Sequence, residues 1–174
     1  MNASVPKPCG PCGLCCKLIK VDELNKPAGQ WCAHYARGQG CTIHAQRPAL
    51  CVGFQCGWSM RSELDEQWRP DNSKFILLTP EGQLIVQCDP GLADAWRRAP
   101  YYSQIKKWSG RNSENYITVI VRTRGHMIFV FPEADIDIGP HVEGVPVDSG
   151  YQLTGGKMIP YARYVAAPRK SVQL

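Results

Sequence analysis

The sequence predicts an α+β fold, in which an irregular cysteine-rich metal-binding N-terminal module is packed with a mainly antiparallel sheet and one long helix. Three observations predict it. Eight of the nine cysteines fall within the 48 residues 9–56, and the 118 residues from Gly57 onward contain only Cys88. After residue 73, short β-branched and aromatic runs come in pairs around turn residues. Between the two pairs lies one stretch of helical pattern.

Residues 7–58 form the expected cysteine-rich metal-binding module. Their periodicity is weak, and Gly and Pro recur at Pro8, Gly10, Pro11, Gly13, Pro27, Gly29, Gly38, Gly40, Pro48 and Gly53. Such a segment buries little by itself, so ligation is expected to supply its folding free energy, on the order of 10 kcal/mol or more per structural zinc. Short helices are expected near 15–21 and 48–53. Residues 59–72 are polar and charged and read as a connector, with a short helix over 60–67.

Residues 73–167 read as the α+β domain. Phe75-Ile76-Leu77-Leu78-Thr79, Pro80-Glu81-Gly82 and Gln83-Leu84-Ile85-Val86-Gln87 give strand, turn and strand. A helix is expected over 92–109, capped by Asp89 or the Pro90-Gly91 start, bent or split by Pro100 and stopped at Ser109-Gly110. Runs at 116–122 and 126–131 flank Thr123-Arg124-Gly125, which predicts a second hairpin. Shorter extended pieces at 136–138, 142–147, 151–153 and 161–165 are expected to complete the sheet.

Composition narrows the function classes. The chain of 174 residues is 44% hydrophobic, enough for one ordinary core or for a metal-stapled module docked on a small domain. It has no run of the roughly 18 apolar residues that a membrane helix requires, so no membrane partner is expected. The N-terminal residues lack an apolar export region, which makes the expected location cytoplasmic. A reducing compartment and an odd number of cysteines both argue against disulfides and for metal.

The net charge of +5 is concentrated. Residues 1–56 hold Lys7, Lys17, Lys20, Lys26, Arg37 and Arg47 against Asp22 and Glu23, an excess of four, and the remaining 14 bases face 13 acids. Eight thiolates around two divalent ions would leave about four negative charges, so these bases read as compensation for thiolate charge. Trp96-Arg97-Arg98, Tyr101-Tyr102 and Lys106-Lys107-Trp108 mix bases with aromatics, but an amphipathic helix accounts for them, and nucleic acid is not the expected partner.

The spacing Cys9-x2-Cys12-x2-Cys15-Cys16-x15-Cys32-x8-Cys41-x9-Cys51-x4-Cys56 carries the chemistry. Two residues between cysteines let both sulfurs reach one ion across a tight turn whose N–H groups donate to the thiolates, and Gly10, Pro11 and Gly13 suit such turns. Taken singly, each cysteine would read as a small buried apolar residue; the grouping overrules that. Adjacent Cys15 and Cys16 diverge, so they serve two centres or two corners of a cluster more naturally than one tetrahedral ion. Eight sulfurs suggest two four-cysteine sites, or one such site and an incomplete second. The later four cysteines are too scattered to close a site locally, so each centre is expected to take ligands from both groups. Cys88 stands alone and reads as a core residue. His34 and His44 lie close to Cys32 and Cys41 in sequence but are surplus to eight thiols. Asp135 and Asp137 read as exposed acids on an edge strand.

With these residues on view, CGPCGLCC over 9–16, Gly40-Cys41-Thr42-Ile43-His44, Arg47-Pro48 and Cys51-Val52-Gly53-Phe54-Gln55-Cys56 together resemble the YkgJ-type cysteine-cluster family, described as a zinc- or iron-chelating domain. The resemblance spans about residues 9–58. It implies that Cys9, Cys12, Cys15, Cys16, Cys32, Cys41, Cys51 and Cys56 are metal ligands, and that Arg47 and Pro48 are structural. A related cluster in flagellin lysine methylases implies an iron-sulfur alternative.

The expected function is metal-ion binding, with zinc in thiolate sites of the protein as isolated and iron or a [4Fe-4S] cluster as the alternative. Saturated thiolate ligation leaves no open position for a substrate, which points away from an enzyme. An iron-sulfur redox or methylation-type enzyme is the competing reading, and a metal-stabilised protein-interaction module with an unnamed protein partner is a third. The sequence has no GxxxxGK[ST], GxGxxG after a strand, GxSxG or HExxH.

Overall fold

Alternating apolar residues place the two predicted hairpins at the centre of the fold. The computed structural model describes residues 7–80, 82–110 and 118–165. β3 (Phe75–Leu78) pairs antiparallel with β4 (Gln83–Cys88), Phe75 opposite Cys88 and Leu78 opposite Ile85. β5 (Thr118–Thr123) pairs antiparallel with β6 (His126–Val130) across the two-residue turn Arg124-Gly125. The first two residues of the predicted run 116–122 lie outside the described residues. β4 and β5 run parallel, Leu84 opposite Val119, and β7 (Asp135–Pro140) lies beyond β6, so the strand order is β3-β4-β5-β6-β7. With helices and several sheets, the chain is α+β as the sequence predicts.

The period of two divides the sheet residues between its faces. Phe75, Leu77, Leu84, Val86, Cys88, Val119, Val121, Ile128 and Val130 share one core with Trp96, Tyr101 and Ile105. Ile85, Ile120, Met127 and Phe129 form the other face.

The single long helix expected over 92–109 is not present. Asp89 Oδ1 accepts from Gly91 N at 2.9 Å and starts a short 3-10 turn at Pro90–Leu92; a second follows at Ala95–Arg97, and only α4 (Tyr101–Trp108) is α-helical. Pro100 has no N–H to continue a helix and disfavours helical geometry at the preceding residue, which accounts for the break before α4, as the sequence suggests; the break between the two 3-10 turns lies upstream of it. The final strands also differ from expectation. β8 (Val147–Thr154) and β9 (Lys157–Tyr164) form their own two-stranded hairpin, whose Val147 and Ala162 pack on the second face of the sheet, and residues 142–146 lie outside any strand.

Residues 59–72 do not form a loose connector. Leu64 and Trp68 enter the first core, where the Trp68 ring meets Phe75, Tyr101 and Trp108 at centroid distances of 6.0, 5.0 and 5.1 Å. The expected helix over 60–67 is replaced by a 3-10 turn at Glu66–Trp68, capped by Asp65, and by α3 (Pro70–Ser73). Trp58 Nε1 donates to Asp65 O at 2.8 Å and Tyr101 Oη to Gln67 O at 2.8 Å, so buried aromatic polar atoms meet backbone carbonyls.

The cysteine-rich segment is fastened to the edge strand β3. α1 (Leu14–Leu18) buries Leu14 and Leu18 against Ile76, with Cys12, Ile19, Phe54 and Leu78 around them. Gly57 N donates to Leu77 O at 3.0 Å. A Cβ at Gly57 would lie 2.6 Å from Leu77 Cβ and 2.9 Å from its carbonyl oxygen, so only glycine allows this approach. Lys17 Nζ reaches both Asp89 oxygens, at 2.7 and 2.8 Å. β1 (Tyr35–Ala36) and β2 (Gly40–Cys41) form a small antiparallel pair, and α2 (Ala49–Gly53) carries Cys51. Among the described residues, no helix is long and apolar enough to cross a membrane.

The basic-aromatic stretch serves the interior. Trp96 and Tyr101 are buried, and Arg97 and Lys106 both pair with Asp135. Asp135 is therefore not the exposed acid that the sequence suggests. It turns toward α4, with Lys106 Nζ 2.7 Å from Oδ1, and Arg97 Nη1 and Tyr102 Oη 2.8 and 2.9 Å from Oδ2. Burial would raise its carboxyl, but Lys106, Tyr102 and Arg97 outweigh it and hold the group below the usual carboxylate range. Asp137 is exposed and pairs with His126, which is exposed too.

Candidate metal centre

The eight cysteines of residues 9–56 come from four local structures. Cys9 and Cys12 lie in a turn closed by Cys12 N donating to Cys9 O at 3.3 Å. Cys15 and Cys16 are consecutive on α1, whose first turn is closed by Cys16 N to Gly13 O at 2.8 Å. Gly13 packs against the Tyr35 ring, and Tyr35 stacks on Trp31 at 4.2 Å. Cys32 N donates to Cys16 O at 3.0 Å, which ties the early and late cysteines together through the backbone, and Tyr35, opposite Cys41 in the β1–β2 pair, donates its N–H to Cys32 O. Cys51 lies on α2 and Cys56 just beyond it. All nine cysteines are free thiols.

Two adjoining cavities collect these sulfurs. The first, of about 80 Å³, is lined by Cys9, Cys12, Cys15, Cys16, Cys32, Cys41 and Cys51; the second, of about 310 Å³, is lined by Cys9, Cys12, Cys15, Cys51 and Cys56. The thiols are near enough to shape one another's chemistry. Cys15 is hydrogen-bonded to Cys16, and this, followed by burial and the neighbouring sulfurs, pushes the Cys15 thiol up while the same bond brings Cys16 down. Burial pushes Cys12 up to about 11, and it also raises Cys51 and Cys56. Among the described residues, however, no three His, Cys, Asp or Glu side chains stand in a group that could hold a metal ion, so ligation requires the thiols to converge further than they do here. The donor chemistry itself, soft sulfur on short Gly-bearing loops, fits zinc, iron or an iron-sulfur cluster.

Lys26 is the residue whose importance the sequence leaves hidden. It is one of the six bases expected to offset thiolate charge; the residue is only 6% exposed and lines the first cavity with the cysteines. Val21 and Lys26 bridge antiparallel around a 3-10 turn at Asp22–Leu24, with Asn25 left-handed at φ 49°, so the chain doubles back and carries Lys26 inward. Its Nζ donates to Lys17 O at 2.9 Å and to Ile19 O. Burial lowers its pKa, and Cys32, Cys16, Cys15 and Cys51 oppose that fall. The visible signal was Asn25, a residue that tolerates the left-handed conformation.

The other bases divide. Lys7 and Arg47 line the second cavity, and Arg47 the first as well. Lys17 and Lys20 are instead engaged with Asp89 and Asp22, so fewer bases serve the cysteines than the charge count suggested. His44 lines both cavities and meets Arg47 Nη1 through Nε2, while His34 does not line either. Cys88 is 1% exposed in the sheet core, apart from both cavities. Comparison with protein-family models, with curated proteins and with solved structures finds no match to this chain.

Proposed function

We propose that this protein binds metal ions through the thiolates of Cys9, Cys12, Cys15, Cys16, Cys32, Cys41, Cys51 and Cys56, with zinc in the protein as isolated. The observation that supports this most is the convergence of all eight cysteines of residues 9–56 on two adjoining cavities, while Cys88 lies elsewhere. A chain gathers this much thiol at one place in a reducing compartment either for a metal or for redox exchange. The buried Lys26 ammonium favours the metal, since a cation held among thiols offsets their charge once they are deprotonated to bind.

Zinc bound by four thiolates supplies structural cross-linking and no open coordination position. The chain's own part is then to position sulfurs and to balance charge with Lys26, Lys7 and Arg47. In this reading the protein is no enzyme: it holds metal for its own structure or keeps it for transfer. A [4Fe-4S] cluster is the second reading, favoured by the Cys9-x2-Cys12-x2-Cys15 spacing, which matches the ligand spacing of cluster proteins.

Metal analysis and a visible spectrum of anaerobically purified protein test both. A colourless protein with stoichiometric zinc is expected. Brown protein with iron and broad absorption near about 400 nm would transfer the proposal to the cluster, and protein with no stoichiometric transition metal would overturn both readings.

A further inference from the structure

We infer that the cavity at the ends of β4 and β5, walled by Gln87 and Arg122, binds a phosphate group, as the free ion or carried on a small molecule. This stands apart from the metal-binding reading, since the cavity shares no lining residue with the two that collect the cysteines.

Arg122 carries the argument. It ends an apolar run, Val119-Ile120-Val121, and the register sets it between Gln87 and Met127 on the second face of the sheet, two residues along from Ile85 and Ile120. The residue is half-buried, and its Nε is enclosed without a hydrogen-bond partner. Burial alone acts on its pKa, lowering it, with no carboxylate to oppose the fall. The half-buried Lys17, Arg61, Arg69 and Lys106, by contrast, each meet a carboxylate. Drawing a guanidinium out of water without an acceptor costs free energy, and a bound anion supplies the partner that the described residues do not.

The surroundings select the anion. The cavity, of about 200 Å³, is lined by Gln87, Arg122, Thr123, Gly125, His126 and His141, with no Asp or Glu among them. Thr123 Oγ1 is spent on Ala93 O at 2.8 Å, and Asp137 takes His126 Nδ1 at 3.0 Å. The side-chain donors left for a ligand are the Arg122 guanidinium, the Gln87 amide and the His141 ring, whose backbone N–H is fixed to Gly125 O at 2.8 Å beside the turn. A guanidinium fork takes two oxygens in parallel, which uses up a carboxylate; the remaining donors suit the third terminal oxygen of a phosphate. A single water needs roughly 10–15 Å³ of such space, so the cavity exceeds one ion and has room for a molecule that carries it.

The test titrates the full chain, as isolated, with inorganic phosphate, glycerol 3-phosphate and acetate at constant ionic strength, followed by nitrogen-15 spectra. Saturable shifts of the Gln87 side-chain amide and of the Gly125 and His141 backbone amides are expected with phosphate. Tighter binding of the ester would identify a phosphorylated small molecule as the ligand, and equal or weaker binding of the ester the free ion; both support the site. Arg122→Met should weaken phosphate binding by at least about 10-fold, and Arg122→Lys, which keeps the charge but not the fork, by less. Phosphate should also raise the thermal midpoint of the wild type more than that of Arg122→Met, which separates binding from the general effect of the salt. Absence of saturable shifts at these residues, shifts confined to residues of the thiol-lined cavities, acetate binding as tightly as phosphate, or unchanged binding in Arg122→Met would each overturn the proposal. The wild-type titration decides the matter even if a variant fails to fold, and none of these outcomes bears on the metal.

Discussion

Replacing Asp89 should loosen the cysteine-rich segment from the sheet, because this one carboxylate does two jobs. It caps the 3-10 turn at Pro90–Leu92 through Gly91 N, and it binds Lys17 of α1 with both oxygens. Loss of a cap costs about 1 kcal/mol. Breaking a fully buried ion pair costs roughly 3–5 kcal/mol and an exposed one less than about 1 kcal/mol. The side chains of Lys17 and Asp89 are 20% and 10% exposed, which places their pair between these limits, at about 2 kcal/mol. Asp89→Ala should therefore destabilise the protein by about 3 kcal/mol, and Asp89→Asn, which keeps an acceptor for Gly91, by about 2 kcal/mol. Urea unfolding of wild type, Lys17→Met, Asp89→Asn and the double variant measures the pair directly. A coupling energy of about 1–2 kcal/mol is expected, and one below about 0.5 kcal/mol would refute the idea that this pair fastens the two parts.

Gly57→Ala should cost about 2 kcal/mol in the same assay, since the new Cβ must displace Leu77 backbone rather than a flexible side chain; an unchanged midpoint would show that the edge contact yields freely. Asp135, held below the usual carboxylate value, contributes stability that is present above its unfolded pKa of about 3.9 and lost as pH falls through its lower folded value. Below about pH 4 the wild type should lose stability more steeply than Asp135→Asn, and parallel curves would contradict the assignment. Cys88→Ser should leave the metal content unchanged while costing about 1 kcal/mol of stability; a proportional loss of metal would place Cys88 among the ligands.

The sheet hairpins were legible because 75–78, 83–88, 118–123 and 126–130 are short β-branched runs joined by turn residues, and each pairs locally. The break at Pro100 was legible, and the division of the preceding residues into 3-10 turns was not. Pro90 and Pro100 were both visible, but an apolar period of 3.6 persists through a chain of separate turns as easily as through one helix. The β8–β9 hairpin carried its own signal in Gly155-Gly156, yet its separation from the main sheet depends on where its Val147 and Ala162 find apolar partners, which lie on Ile85, Ile120, Met127 and Phe129. Asp135 could not be placed from spacing, because its partners Lys106, Tyr102 and Arg97 come from a different element.

At the candidate centre, spacing alone singled out the eight cysteines that line the two cavities, whereas the expected divergence of Cys15 from Cys16 is not what the side chains show, since they are hydrogen-bonded to each other. The backbone bonds that draw the early and late segments together, Cys32 N–H to Cys16 O and Lys7 N–H to Ser59 O, were not legible, because they join residues far apart in sequence. The charge count offered six bases, of which Lys7, Lys26 and Arg47 line the cavities; it could not see that Asp89 and Asp22 take up Lys17 and Lys20, nor that a left-handed Asn25 turns Lys26 inward.

The most direct test of the central claim is X-ray absorption at the metal edge of the protein as isolated. A first shell of four sulfurs at about 2.3 Å from zinc is expected, with no more than traces of nitrogen or oxygen. A shell of nitrogen and oxygen donors on a stoichiometric metal, or no stoichiometric metal to measure, would contradict it.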